Sequence, residues 1–108
     1  MSTEAGTPGG GAGGARAGSF DLERPWQLDP QVSVRPERFG ALLYHFGTRR
    51  LSFLKSPALL TVVSSLGEAP SAREACRAAG VTGAELPAYA AALATLAASQ
   101  MIRERVSL

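Results

Sequence analysis

A chain of 108 residues allows one domain, and a net charge of +2 with 45% hydrophobic residues is typical of a small globular protein. The single cysteine, Cys76, excludes an internal disulfide. One cysteine and one histidine supply too few ligands for a transition-metal site built by the protein alone. We therefore predict no metal centre and no cofactor.

The first 19 residues have a composition that opposes folding. Seven of the 12 glycines fall there, and residues 2–19 include no aromatic or branched aliphatic side chain. Such a segment cannot bury enough apolar surface to offset its ordering entropy. We expect residues 1–19 to be a disordered Gly/Ala-rich tail, and residues 20–108 to form the folded domain.

The same N-terminal segment does not resemble a secretory signal, because its glycines replace the apolar core that such a signal needs. The longest nearly apolar run, residues 88–98, is shorter than the ~20 residues that span a bilayer. The sequence therefore predicts a cytoplasmic protein without a membrane partner.

Extended segments come first along the folded part. The tryptophan of RPWQLDP lies between two prolines that oppose a helix, and residues 32–35 alternate apolar and polar, as in a half-buried strand. The run FGALLYHFGTRRLSFLK, residues 39–55, predicts a β-hairpin with its turn at residues 47–50. Its last strand, residues 51–54, is free to form the edge of a sheet.

The two faces of this hairpin differ in composition. The wholly apolar face is expected to hold the fold together, and its members are Leu42, Tyr44, Phe46, Leu51 and Phe53. The opposite face is mixed and is expected to be partly exposed: Ala41, Leu43, His45, Ser52 and Leu54.

Three helices are predicted after the hairpin. Ser56-Pro57 and Ser71-Ala72-Arg73-Glu74 are helix starts, the second with the spacing of a capping box. A further capping box at Thr82 conflicts with Pro87, so the third helix is expected to begin near Leu86. Residues 102–106 form either a short strand or a frayed helix end. The order predicts an α+β, winged helix-turn-helix-like fold, a three-stranded antiparallel sheet followed by three helices.

Such a fold commonly serves one of two functions. A small winged-helix DNA-binding regulator is the alternative function, but the third helix has no Arg, Lys or Asn to read base edges, only Gln100 near its end. Basic residues of the hairpin would contact phosphates without reading sequence. We therefore predict that nucleic acid is not a partner.

The other use is peptide binding by strand addition, in which a ladder of backbone bonds sets register and side-chain pockets give selectivity. Judged by pattern alone, an ordinary edge strand beside a core helix remains an equal alternative. Catalysis is not predicted, because His45 has no adjacent carboxylate or nucleophile, and Cys76 fits a small buried side chain. A redox or metal protein is likewise disfavoured.

The runs WQLDPQVSVRPERFG, FGALLYHFGTRRLSFLKS and CRAAGV resemble the precursor-peptide chaperones of mycofactocin biosynthesis, which are PqqD-like recognition elements for ribosomally made, modified peptides. The resemblance covers about residues 22–102. It implies a non-catalytic chaperone that binds the leader of the precursor peptide as an added strand and presents it to a radical S-adenosylmethionine maturase. The implied domain is a PqqD-like peptide-recognition domain.

The resemblance also implies where the peptide binds. The leader would lie between one strand and the helix at residues 86–100, where Pro87 shortens the groove. Carried onto this sequence, the strand residues are Arg50, Leu51, Ser52, Phe53, Leu54 and Lys55, and the helix residues are Tyr89, Leu93 and Leu96. A Ser52→Pro substitution is expected to weaken binding by removing an edge donor or by straining the strand.

Overall fold

The structure is a computed structural model, and it describes residues 20–105. The predictions for residues 1–19 lie outside the described residues. In chain order the elements are β1 (Trp26–Leu28), β2 (Val32–Glu37), β3 (Gly40–His45), β4 (Leu51–Leu54), α1 (Pro57–Ser65), a 3₁₀ turn (Leu66–Glu68), α2 (Ala72–Ala78), α3 (Leu86–Ala98) and β5 (Ile102–Glu104).

Strands β2, β3 and β4 form an antiparallel sheet in that order, and β1 pairs with β5 in a second, two-stranded sheet. The α+β class, the three-stranded sheet and the three helices are therefore confirmed. The end of the chain adopts the first of its two predicted forms, since Ile102–Glu104 pairs with Trp26–Leu28. The winged-helix description stays a prediction.

The prediction of which hairpin face is buried was wrong. Ala41, Leu43 and Leu54 are fully buried and join the core with residues of all three helices, whereas Leu51 and Phe53 are exposed. Both faces carry apolar residues, so alternation of period two could not decide between them. The helices pack on the face with the smaller side chains, and most of the aromatic rings point outward.

Two serines begin the first two helices as predicted. The Ser56 Oγ accepts a hydrogen bond from the Leu59 N–H at 3.0 Å, and the Ser71 Oγ accepts one from the Glu74 N–H at 3.2 Å. Each bond satisfies one of the backbone donors that a helix start leaves unpaired. None of the helices within residues 20–105 is long and apolar enough to cross a bilayer.

The start of α3 accommodates both the capping box at Thr82 and the proline at position 87, which conflicted in the sequence. The Thr82 N–H donates to Glu85 Oε1 at 3.0 Å, and the Glu85 N–H donates to Thr82 Oγ1 at 3.3 Å. This reciprocal pair closes a turn ahead of the helix, which begins at Leu86 as predicted. Pro87 consequently lies in the first turn, where a missing N–H costs little.

Candidate functional site

Strand β4 has one open side. It pairs with β3, and no other strand within residues 20–105 pairs with it, which confirms the predicted sheet edge. The side chains of Leu51 and Phe53 are exposed, whereas Leu54 is buried in the core. The structure thus presents a short extended segment whose outer backbone groups can pair with another chain.

The orientation of β4 follows from one hydrogen bond at its beginning. The His45 N–H donates to the Arg50 carbonyl at 3.0 Å, so the polar backbone groups of Arg50 point toward β3. Successive residues of a strand point their N–H and C=O groups to opposite sides. The backbone groups of Leu51 and Phe53 therefore face the open edge.

The backbone groups of Ser52 face β3, opposite Leu43. A Ser52→Pro substitution would therefore break the ladder inside the sheet, and the expectation that it removes an edge donor was wrong. The Leu54 carbonyl confirms this alternation, because it lies against Gly40 of β3. Strain in the strand remains the expected effect of that substitution.

The hairpin loop is one residue earlier than predicted. It comprises residues 46–49 and is closed by the Arg49 N–H, which donates to the His45 carbonyl at 2.8 Å. Arg49 adopts a left-handed conformation with φ of 65°. That conformation reverses the chain direction, so that Arg50 can pair with His45 at the start of β4.

His45 is buried, with 4% of its surface exposed, and its imidazole holds the loop. Its Nδ1 accepts hydrogen bonds from the N–H groups of Gly47 and Thr48, both at 3.0 Å. Its Nε2 lies 3.6 Å from Asp29 Oδ1, a neighbour 16 positions earlier that sequence adjacency could not show. The packed-histidine interpretation is confirmed, and this histidine is a structural cap of the turn.

A groove of about 190 Å³ begins just beyond the end of β4. It separates the start of α1 from α3 and is lined by Ser56, Leu59, Ala88, Tyr89 and Ala92. Of the three predicted helix residues, Tyr89 reaches this groove.

The other two predicted helix residues lie in the core. Leu93 is 0% exposed and Leu96 is 4% exposed, so neither can contact a peptide in this structure. Ala88 and Ala92 line the groove instead, and neither was predicted from the sequence. Their spacing of four residues, which places both on one face of a helix with Tyr89 beside them, was the available signal.

Positive charge surrounds the open edge. Arg50 and Lys55 flank β4, and neither forms an ion pair with any residue in the range 20–105. Charges of one sign at both ends of a short strand favour a partner that carries acidic groups. The remaining reactive side chain, Cys76, is buried away from this edge, and its burial raises the pKa of the thiol despite the nearby Arg73 guanidinium.

Sequence comparisons identify relatives over most of the chain. The profile of the Peptide chaperone MftB family matches residues 25–103. The chain is 59% identical over 88 residues to Peptide chaperone MftB of Mycobacterium ulcerans (strain Agy99), covering 82% of this chain and 81% of the relative.

Two further relatives have the same name. Peptide chaperone MftB of Mycobacterium tuberculosis (strain ATCC 25618 / H37Rv) is 54% identical over 91 residues, covering 84% of each chain. That of Mycolicibacterium smegmatis (strain ATCC 700084 / mc(2)155) is 52% identical over 84 residues, covering 78% of this chain and 82% of the relative. No solved structure gives a significant match. The matched region includes both the open edge and the groove, and the chain belongs to the Peptide chaperone MftB family.

Proposed function

We propose that this protein is a non-catalytic chaperone that binds the leader of the mycofactocin precursor peptide as a strand added to β4. The observation that carries the proposal is the open edge of β4, and the groove beside Tyr89 includes Ser56, two residues beyond the end of that strand. Membership of a family named for peptide chaperones supports a peptide as the ligand. The sequence resemblance supplies the identity of that peptide.

Strand addition is the binding mode that the edge favours. Leu51 and Phe53 each direct one N–H and one C=O outward, so an antiparallel peptide can form four backbone hydrogen bonds. At ~0.5–1.5 kcal/mol each, these bonds contribute about 2–6 kcal/mol. A dissociation constant of 1 μM corresponds to about 8.2 kcal/mol, so the ladder alone gives weak binding.

The groove supplies the remaining affinity in this proposal. A peptide residue whose side chain enters the space between Leu59 and Tyr89 buries an apolar surface there. Burying one Leu or Phe side chain contributes about 1.5–3 kcal/mol. One such anchor together with the ladder brings the total to about 3.5–9 kcal/mol, the upper end of which corresponds to micromolar affinity. Acidic leader residues close to Arg50 and Lys55 would add selectivity.

Presentation to a radical S-adenosylmethionine maturase is the second half of the proposal. The chaperone contributes no reacting group, because the exposed edge offers backbone amides and apolar side chains. Its role is to hold the leader in one extended conformation. A leader that is already ordered loses less conformational entropy when the maturase binds it, so this binding costs less free energy.

Peptide titration of two matched variants tests the edge. Leu51→Pro removes an edge donor without breaking a bond to β3, and Leu51→Ala removes the side chain but keeps the N–H. We expect Leu51→Pro to bind the leader about three- to tenfold more weakly than Leu51→Ala, measured by calorimetry on the full chain. Backbone NMR shifts should concentrate in residues 51–55.

Equal leader affinity of the two variants, with both folded, would refute strand addition at β4. An absence of saturable leader binding by the wild type would refute the peptide identity. A gel-shift experiment with duplex DNA tests the alternative function. A salt-dependent shift of the DNA, with no leader binding at the same protein concentrations, would favour a DNA-binding regulator. Co-purification with the precursor and the maturase tests the presentation step.

A further inference from the structure

On the side of the three-stranded sheet that faces away from the helices, β3 and β4 carry apolar side chains where a solvated sheet face would be polar, whereas β2 is polar there. This outer apolar face consists of Leu42, Tyr44, Phe46, Leu51 and Phe53. Phe46 is 59% exposed, Leu51 61% and Phe53 50%. The Phe46 ring packs edge-on against the half-buried Tyr44, at 5.2 Å between ring centroids. Contiguous exposed apolar patches of this kind mark interaction sites.

Basic side chains border the outer apolar face. Arg35 lies on the same side of β2, opposite Leu42, and forms an ion pair with Glu37. The others, at the ends of the strands, are without an ion pair among residues 20–105: Arg38, Arg49, Arg50 and Lys55. An aromatic centre with a charged rim is the usual anatomy of a protein–protein interface.

The charges distinguish between possible occupants. A second copy of the chain would bring like charges together around the same patch, which opposes self-association. Residues 2–19 have no aromatic or branched aliphatic side chain with which to cover the patch. An acidic partner with apolar side chains at its centre complements both the rim and the face.

We propose that the outer apolar face is the docking surface for a folded protein whose own contact surface is apolar at the centre and acidic at the rim. We identify this partner as the maturase, and only this identification rests on the proposed function. The face itself belongs to β3, β4 and the loop residue Phe46, and it is present without any peptide.

The outer apolar face lies beside the open edge of β4, so a protein docked on the face would also be close to a bound leader. In an antiparallel pair, residues directly opposite each other share a face. Leader side chains opposite Leu51 and Phe53 would therefore extend the outer apolar face by a fourth strand. A partner that covers the face would touch the bound leader as well.

The size of the face makes this extension significant. Strands β3 and β4, each taking up ~4.8 Å of sheet width and at most about six residues long at ~3.4 Å each, cover roughly 10 by 20 Å. That area of about 200 Å² is well below the roughly 800 Å² that each partner buries in a standard interface. The bare face should therefore bind weakly, and a bound leader strand should strengthen the binding. The maturase would thereby select chaperone molecules that carry a peptide.

The experiment measures maturase affinity for the full chain, with and without the leader. Phe46→Ser and Arg35→Glu alter the outer apolar face and its rim at positions outside β4, so the peptide edge stays intact. Arg77→Glu, on α2, is the control for charge reversal. We expect the two face variants to bind the maturase at least about tenfold more weakly, with leader affinity within about twofold of wild type. Arg77→Glu should behave as wild type, and the leader should increase wild-type affinity.

Unchanged maturase affinity in folded Phe46→Ser and Arg35→Glu overturns the proposal, as does an absence of maturase binding by the wild type. Sedimentation that shows a wild-type dimer abolished by Phe46→Ser also overturns it, in favour of a self-association surface. Binding to anionic phospholipid vesicles that Phe46→Ser removes, with maturase affinity unaffected, assigns the face to a membrane surface instead. Failure of the leader to bind refutes the proposed function but leaves the leader-free maturase titration interpretable.

Discussion

The imidazole of His45 should be a major stabilising element of the hairpin. His45→Leu introduces an apolar side chain of similar size and removes the Nδ1 acceptor of two loop N–H groups, each at 3.0 Å. At ~0.5–1.5 kcal/mol per bond, the loss is about 1–3 kcal/mol. Gly47 is exposed, so water replaces part of its bond, and about 2 kcal/mol is the expected decrease in the free energy of unfolding.

Urea denaturation of the full chain measures this decrease. With an m-value of about 1–2 kcal/mol/M, the midpoint should fall by roughly 1–2 M at an unchanged m-value. His45→Asn is the matched control, because an Asn side-chain oxygen can accept from the N–H two residues later. It should recover part of the loss. A His45→Leu variant within about 0.5 kcal/mol of wild type, or an Asn variant as unstable as Leu, would refute the capping role.

Three further predictions concern packing, pH and the N-terminal segment. A Cβ added at Gly40 would collide with the Leu54 carbonyl, so Gly40→Ala should lower the free energy of unfolding by about 1–3 kcal/mol and weaken leader binding. Gly83 has open space around it, so Gly83→Ala should change neither quantity in the same urea denaturation and leader titration. Because burial raises the pKa of the Cys76 thiol, the folded chain keeps a proton that the unfolded chain releases near pH 9.0. That contribution to stability is complete below pH 9.0 and is lost as the pH rises through the folded pKa, so Cys76→Ala should show a shallower alkaline decline in unfolding free energy. Deleting residues 1–19 should change neither the melting temperature nor leader affinity, and a loss of either would contradict the inference from composition.

The sequence predicted most of the fold because its helix and turn signals are local. Ser56, Ser71 and Pro87 act through backbone groups within one turn of themselves, and each begins a helix where expected. The short β1–β5 sheet was not predicted as a pair. Its strands are 74 residues apart at Leu28 and Ile102, and three-residue strands have no periodicity to reveal such a pairing.

The candidate site was harder to predict because it depends on which face the helices cover. The strand positions alternate equally well on either face, so sequence could place the edge at residues 51–54 but could not choose the buried side. The same uncertainty applied to α3, where Tyr89 reaches the groove and Leu93 lies in the core. On an alanine-rich helix, apolar residues recur on several faces, and only tertiary packing decides which of them is buried.

The reversed hairpin faces change how the molecule can work. If the aromatic face were buried, β4 would offer a partner only its backbone edge, and the peptide and the maturase would compete for it. With Leu43 and Leu54 inside, β4 has two separate surfaces: backbone groups along the edge, and the side chains of Leu51 and Phe53 on the outer apolar face. One ligand can occupy the edge while another covers the face. Under the proposed function, a strand of four residues would bind a peptide along its edge and present it to a second protein on its face.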